Sequence, residues 1–290
     1  MPPRAVPGTI QKNAGPRMIK VRCSMLPRCL DCMRAAACGQ FPDIINEAGY
    51  VLNEKTTGIY TAVGIGTHEA ARYMLSHKIT HGSLPPAGEC IGSGIAEYWR
   101  KLEEFESVVY DDATPSQDVG AYQINVMTKA FYRDVAPRLQ FPENATPENH
   151  LEMFLRARIG DDAELSGHPD IYTGLSIVDT KSGTQLRPVQ TQVGGYINLL
   201  TANKRRKPEN AIIVHLPRTR KDKVYPGTGF ASYPVNFCAN ESWYLVNQVV
   251  RDVKNFIKSG NPASFQANPQ STLCSRKYCR AYGTKFCEYF

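Results

Sequence analysis

Three residues of this 290-residue chain, Asp170, Asp179 and Lys181, have the types and spacing to work on a phosphodiester. Asp179 and Lys181 stand two apart at the end of an apolar, β-branched run over 175–180. Side chains i and i+2 of a strand face one side, so this carboxylate and ammonium point the same way. Asp170 closes the turn Gly167-His168-Pro169-Asp170, and a hairpin would return it beside Asp179. Paired carboxylates hold hard divalent cations such as Mg²⁺ or Mn²⁺. These cations polarise a phosphate, activate water and neutralise the leaving oxygen. A neighbouring ammonium orients that water or stabilises charge building on phosphorus. A surface hairpin with a salt bridge would use the same residues, so the surrounding context has to separate the two readings.

The context is a helix-then-strand order. Apolar spacing and breakers predict helices over 30–39, 62–77, 95–110 and 121–135, the last stopped by Pro137, Pro142 and Pro147. Strands are predicted over 151–159, 175–180 and 211–216, with a short extended segment over 19–24. Helices over 193–202 and 243–259 follow. Gln192 and Tyr196, four apart, share one face of the first of these. The order predicts an α/β (α+β) fold. Residues 1–18 read as a mobile arm and 19–290 as one domain. Within it, a helical insert covers about 40–150, a core about 151–259 and a cysteine-rich tail 260–290.

Composition sets outer limits. The chain is 42% apolar, enough for a sizeable core, and carries a net charge of +7, compatible with a polyanionic partner. Basic runs fall at Lys204, Arg205, Arg206 and Lys207, and again at Arg218, Arg220, Lys221 and Lys223. Beside a phosphodiester site they would contact the DNA backbone, and nearby Tyr and Phe could stack on single-stranded ends. No apolar run has bilayer length and no secretory leader is visible, so a cytoplasmic, intracellular protein with no membrane partner is expected. No G-x-x-x-x-G-K-[ST] loop is present, so no motor is expected in this chain.

Nine cysteines gather at the two ends: Cys23, Cys29, Cys32 and Cys38 early, Cys274, Cys279 and Cys287 late, with Cys90 and Cys238 between. In a reducing compartment such a distribution reads as metal or iron–sulfur ligation. Cys29-x2-Cys32 has zinc-like spacing. Cys23, Cys38, Cys90 and Cys238 read as small buried apolar residues.

The stretch 167–196 resembles the RecB-like branch of the PD-(D/E)xK nucleases. It carries Gly167-x-x-Asp170, then Ile177-Val178-Asp179-Thr180-Lys181-Ser182-Gly183, then Gln192-x-x-x-Tyr196. The resemblance implies a restriction-endonuclease-like core and Mg²⁺- or Mn²⁺-dependent cleavage of DNA, mostly from ends. Asp170 and Asp179 would bind metal, with Lys181, Gln192 and Tyr196 completing the catalytic set. In such nucleases a G-T-x-x-H or similar G-x-x-x-H motif supplies a metal-ligating His, which implies that role for His68 of Gly64-Ile65-Gly66-Thr67-His68-Glu69-Ala70, with a shorter spacing because His68 directly follows Thr67; Glu69 would be a support or a chance neighbour. An upstream acid is implied too, Glu152 or alternatively Glu164.

Leu30-Asp31-Cys32-Met33-Arg34 resembles the D-C-P-R opening of iron–sulfur nucleases, the AddB-type subunits and CRISPR-associated adaptation exonucleases, with Met33 for Pro. That implies a [4Fe–4S] cluster on Cys32, Cys274, Cys279 and Cys287. The spacing Cys274-x4-Cys279-x7-Cys287 is wider than theirs and leaves Zn²⁺ open. By the same analogy the setting is recombination, repair or phage DNA metabolism in a bacterial or phage-infected cell, with a helicase or recombinase as partner. Two other readings stand beside the exonuclease. One is a non-catalytic DNA-binding or assembly module that keeps the fold; the other is a zinc-stapled restriction-type endonuclease that cuts closed circles.

Overall fold

Residue Ile177 and its neighbours show why the chain folds as it does: four consecutive residues of the strand Ser176–Lys181 are buried, so this strand must be covered on both faces. A computed structural model describes residues 17–288. The arm expected over 1–18 therefore lies almost wholly outside the described residues.

The elements run β1 (Ile19–Arg22), α1 (Leu26–Asp31), α2 (Met33–Gln40), α3 (Pro42–Glu47), β2 (Thr57–Gly58), α4 (Ile59–His81), α5 (Ala87–Glu103), β3 (Val108–Val109) and α6 (Gln117–Asp134). Then come α7 (Pro147–His150), β4 (Leu155–Ile159), β5 (Ala163–Gly167), β6 (Ile171–Tyr172), β7 (Ser176–Lys181), α8 (Gln190–Ala202), β8 (Asn210–His215), β9 (Gly229–Tyr233) and α9 (Val235–Ser259). The fold is mixed α/β.

The strands divide among small sheets: β1-β5-β4, β2-β3 and β6-β7-β8-β9. Pro169, which has no N–H to donate to a ladder, stands between β5 and β6, where the chain passes from one sheet to the other. In the four-stranded sheet β7 and β8 are parallel, with α8 as the crossover, while β6 and β9 pair antiparallel at the edges. Alternation along β7 separates two cores. Ile177 faces the core shared with α1, α2, α8, α9 and the C-terminal tail, and Val178 faces the core of the α4–α6 helices. The tail is docked by aromatic contact: Phe286 meets Tyr50 and Phe256 edge-on at centroid distances of 5.2 and 5.6 Å.

Several expected elements differ in extent. The helix expected over 30–39 is two, α1 and α2, because Cys32 is extended (φ −157°, ψ 106°) and breaks the run. The helix expected over 95–110 starts earlier, at Ala87, and ends at Glu103, leaving Val108–Val109 as a strand. The strand expected over 151–159 begins only at Leu155, since Glu152 has a left-handed backbone (φ 44°) that a strand cannot contain.

Candidate active site

The β6–β7 hairpin does what the Asp170–Asp179 spacing predicts. Ile171 pairs with Val178, so the residue before β6 meets the end of β7. There the Thr180 amide donates to Asp170 Oδ2 at 2.7 Å. Asp179 is wholly buried, and its Oδ2 lies 2.7 Å from Lys181 Nζ, whose side chain stays 25% exposed. A fully buried carboxylate thus holds an ammonium at the protein surface. The pairing expected from the i, i+2 spacing is present as an ion pair.

Helix α8 sets the far side of Asp179. Gln192 donates its amide to Asp179 Oδ1 at 3.4 Å and to Tyr196 Oη at 2.7 Å, so one side chain joins the carboxylate to the phenol. Both residues are buried. Burial, followed by the charges of Asp179 and Asp170, raises the Tyr196 phenol well above its ordinary pKa. Tyr196 therefore stays a neutral positioning group.

His68 arrives from α4. Its Nδ1 lies 3.6 Å from Asp170 Oδ1 and 3.8 Å from Glu152 Oε1, and its Nε2 is 3.1 Å from the Thr180 carbonyl. Glu152 is delivered by a short zipper: Leu151 bridges Ile171, and the Glu152 amide donates to the Asp170 carbonyl at 3.0 Å. Its left-handed backbone is the kind of strain that a site rather than a fold retains, at a cost of order 1–3 kcal/mol. Glu164, the other acid considered, stands on β5 in register with Lys20 and Arg158, away from this group. Glu69 is held by Arg72 at 2.7 Å and by Ser93 at 3.1 Å, a supporting position on the same helix as His68.

The pKa values of His68 and Asp170 are displaced upward, and that of Glu152, beside His68, downward. Burial disfavours the His68 imidazolium, but the charges of Asp170 and Glu152 outweigh it and hold the pKa up at about 9. Burial, then the charge of Asp179, raises Asp170 to about 6 against the pull of His68 and Lys181. Both folded-state values lie above the unfolded ones. The stabilising share of His68 is complete below its unfolded value, about 6.5, and is lost as pH rises through about 9. For Asp170, stability falls as pH rises from the ordinary carboxylate range through about 6. Metal-free protein is therefore expected to melt at a lower temperature at pH 9 than at pH 6. Thermal melts of His68→Asn should lack the part of that difference lying above pH 6.5.

The donors suit a divalent cation. Carboxylate oxygens and one imidazole converge, and His68, Glu152, Asp170 and Thr180 line a void of about 10 Å³, the space of one water-sized particle. As placed, the acids and His68 are paired with one another. Among the described residues no three or more His, Cys, Asp or Glu already stand at metal-holding spacing. The same holds for the thiols. All nine cysteines are free, and burial, then the nearness of Cys279, Cys287 and Cys32, raises the Cys274 thiol. These four are the set that the resemblance implies, and their donor chemistry fits a cluster or zinc. Cys38 is a fifth neighbour of Cys279, Cys287 and Cys32, and buried. Cys23, Cys90 and Cys238 are buried as expected.

The first of the basic runs expected to contact DNA lies apart from this group. Lys204, Arg205, Arg206 and Lys207 precede β8, and the parallel register pairs Ser176 with Asn210 and Lys181 with His215. The basic run thus lies at the opposite end of the strands from Asp179 and Lys181, about 16 Å along β8. Its side chains are engaged locally: Arg205 with Asn149, Arg206 with Glu209 and Lys207 with Asn236. Arg218 lies instead at the Lys181 end of the sheet, where its amide donates to the Gly183 carbonyl. Charge composition alone carries no information about which end of a strand a loop occupies.

No family model matches the chain, and no curated protein matches it.

Proposed function

We propose that this chain is a divalent-metal-dependent deoxyribonuclease of the RecB-like PD-(D/E)xK type, hydrolysing phosphodiester bonds from DNA ends. The observation that carries this reading is the approach of His68 to both Asp170 and Glu152, with the buried Asp179 and the partly exposed ammonium of Lys181 paired at the adjoining end of β7. A salt-bridged surface hairpin has no use for a fully buried Asp179 or for a strained Glu152. His68, Glu152, Asp170 and Asp179 would hold Mg²⁺ or Mn²⁺. Such a cation, when bound, polarises the phosphate and lowers the pKa of the attacking water.

The residues divide the remaining work. Lys181 presents a partly exposed positive charge beside Asp179, where it would neutralise charge growing on the phosphate oxygens. Asp179 holds Lys181 in that position, and Gln192 holds Asp179. His68 carries a proton in the metal-free site that metal binding must displace, so binding tightens as pH rises. Wild-type protein with Mn²⁺ is expected to digest linear DNA, to stop on chelation and to leave closed circles intact. Cutting of closed circles would make it an endonuclease. Failure on every DNA form would identify a non-catalytic binding module.

The tail cysteines fit a structural role within the same proposal. Cys32 at the α1–α2 break and Cys274, Cys279 and Cys287 near the C-terminus would hold a [4Fe–4S] cluster, or alternatively Zn²⁺, that ties the ends together. Protein purified without air is expected to be brown with about four irons per chain, and Cys279→Ser to be colourless. Colourless wild type with one zinc would replace the cluster by zinc. Metal-free wild type would remove this part of the proposal. Among the described residues no helix is long and apolar enough to cross a membrane.

A further inference from the structure

A cavity of about 410 Å³ opens beside the carboxylates, lined by Tyr60, Gly64, His68, Glu69, Glu97 and Glu152 among others. It shares His68 and Glu152 with the candidate active site, so whatever fills it lies next to the phosphate being attacked. Two of its acids are already partnered, Glu69 by Arg72 and Glu97 by Arg100. Its carboxylate-rich wall repels a phosphate but accepts hydrogen bonds from amino groups. A nucleobase meets that requirement, and a sugar–phosphate chain does not.

Tyr60 is built as a platform for such a base. It is 37% exposed although it belongs to the first turn of α4. Its ring lies directly over Gly58, where an added Cβ would overlap the ring carbons. The Gly58 backbone (φ −76°, ψ 144°) would accept any residue, so the ring, and not the chain path, requires glycine there. The Arg218 guanidinium sits 5.6 Å from the ring centroid. Arg218 is buried and tied to Asp111 through 2.8 and 3.1 Å hydrogen bonds and to Thr114. The ring thus lies between Gly58 and a guanidinium that is itself held in place.

The surface continues the same chemistry. Next to Asp111, Tyr110 is exposed, and its carbonyl accepts from Lys277 Nζ at 3.4 Å. That ammonium is 5.4 Å from the ring of Tyr278, which is 40% exposed. The Lys277 carbonyl is anchored by the Thr56 hydroxyl at 3.1 Å, just ahead of Gly58. Three exposed rings, Tyr60, Tyr110 and Tyr278, and the exposed Lys277 thus run from the cavity to the cysteine-rich tail. Sequence-tolerant binding of single strands uses this combination of stacking and backbone charge.

We infer that an unpaired DNA strand leads away from the carboxylates along this track, one base stacked on Tyr60 in the cavity and a later one on Tyr278, with Lys277 against the backbone. The inference rests on the nuclease reading and adds the residues that receive the strand. A duplex keeps its bases stacked and paired, and would have to unstack at a cost of a few kcal/mol to use Tyr60.

The test is equilibrium binding of a fluorescein-labelled single-stranded 15-mer and its duplex in EDTA, so that nothing is cut. Tyr60→Ala should weaken single-strand binding about 5- to 150-fold and leave duplex binding unchanged. Gly58→Ala, which displaces the ring without removing it, should do the same, while Tyr60→Phe should bind like wild type. Should Tyr60→Ala fail to fold, the exposed Tyr278→Ala carries the test with a loss in the same range. Wild-type affinity in Tyr60→Ala and Gly58→Ala, from a protein that digests DNA with Mn²⁺, overturns the track and leaves the nuclease standing. A wild type that neither binds nor digests DNA overturns both.

Discussion

Asp179→Ala is expected to lower Mn²⁺-dependent DNA digestion by about 10²–10³-fold or more while the protein still folds. Asp179 has two tasks, as a candidate metal ligand and as the holder of Lys181 at 2.7 Å. Both end with the substitution. The effect on stability is smaller than for an ordinary buried ion pair, for two reasons. Lys181 is 25% exposed, so its freed ammonium can turn to water instead of remaining buried and unpaired. The neighbouring Asp170 also loses a repelling charge, which now helps to raise its pKa. A circular-dichroism melt within a few degrees of wild type, beside an initial rate at least about a hundredfold lower, is the expected pair of results. A large fall in melting temperature with activity retained would make Asp179 a structural residue.

Gly194→Ala is expected to be the most damaging small substitution for the fold. α8 and α9 cross where Gly194 meets the backbone of Cys238, and an added Cβ would fall on its carbonyl oxygen and lie 2.8 Å from Ser242 Cβ. Backbone cannot turn aside as a side chain can, so the helices must part. The loss should reach the upper end of overpacking, about 3 kcal/mol, or roughly a 6–12 °C fall in melting temperature. Because α8 carries Gln192 and Tyr196, the contact with Asp179 should loosen too. Gly92→Ala in α5 is the control. Nothing lies within 4 Å of its Cβ, so alanine there should stabilise by about 0.5–1 kcal/mol. Equal melts for the two variants would contradict the close crossing.

Much of the site can be read in the sequence because its parts are local. The strand run ending in Asp179-Thr180-Lys181 has a period of two, and its two ends fix which side chains share a face. Gln192 and Tyr196 are joined by helical spacing alone, and their hydrogen bond is the direct consequence. His68 could be singled out only by a motif, since its 3.6 Å approach to Asp170 comes from packing of α4 against the sheet. Glu152 was misplaced on a strand because its left-handed backbone is imposed by the Leu151–Ile171 bridge, a contact between distant segments. The break at Cys32 and the edge strand β9 have the same origin: neighbours outside the segment, not its own periodicity, decide them. The Tyr60 platform was invisible for a further reason. Gly58 is needed only because a ring lies on it, and a glycine before a helix usually signals no more than a turn.

The most direct test of the central claim compares wild type with Lys181→Ala on a labelled single-stranded DNA under single-turnover conditions with Mn²⁺, and measures Mn²⁺ binding to both by calorimetry. Wild type is expected to shorten the strand, chelation to stop it, and Lys181→Ala to bind Mn²⁺ yet cut about a hundredfold or more slowly. Wild type that leaves the strand whole at every Mn²⁺ concentration, or Lys181→Ala that cuts as fast as wild type, would contradict the assignment of Asp170, Asp179 and Lys181 as a nuclease site.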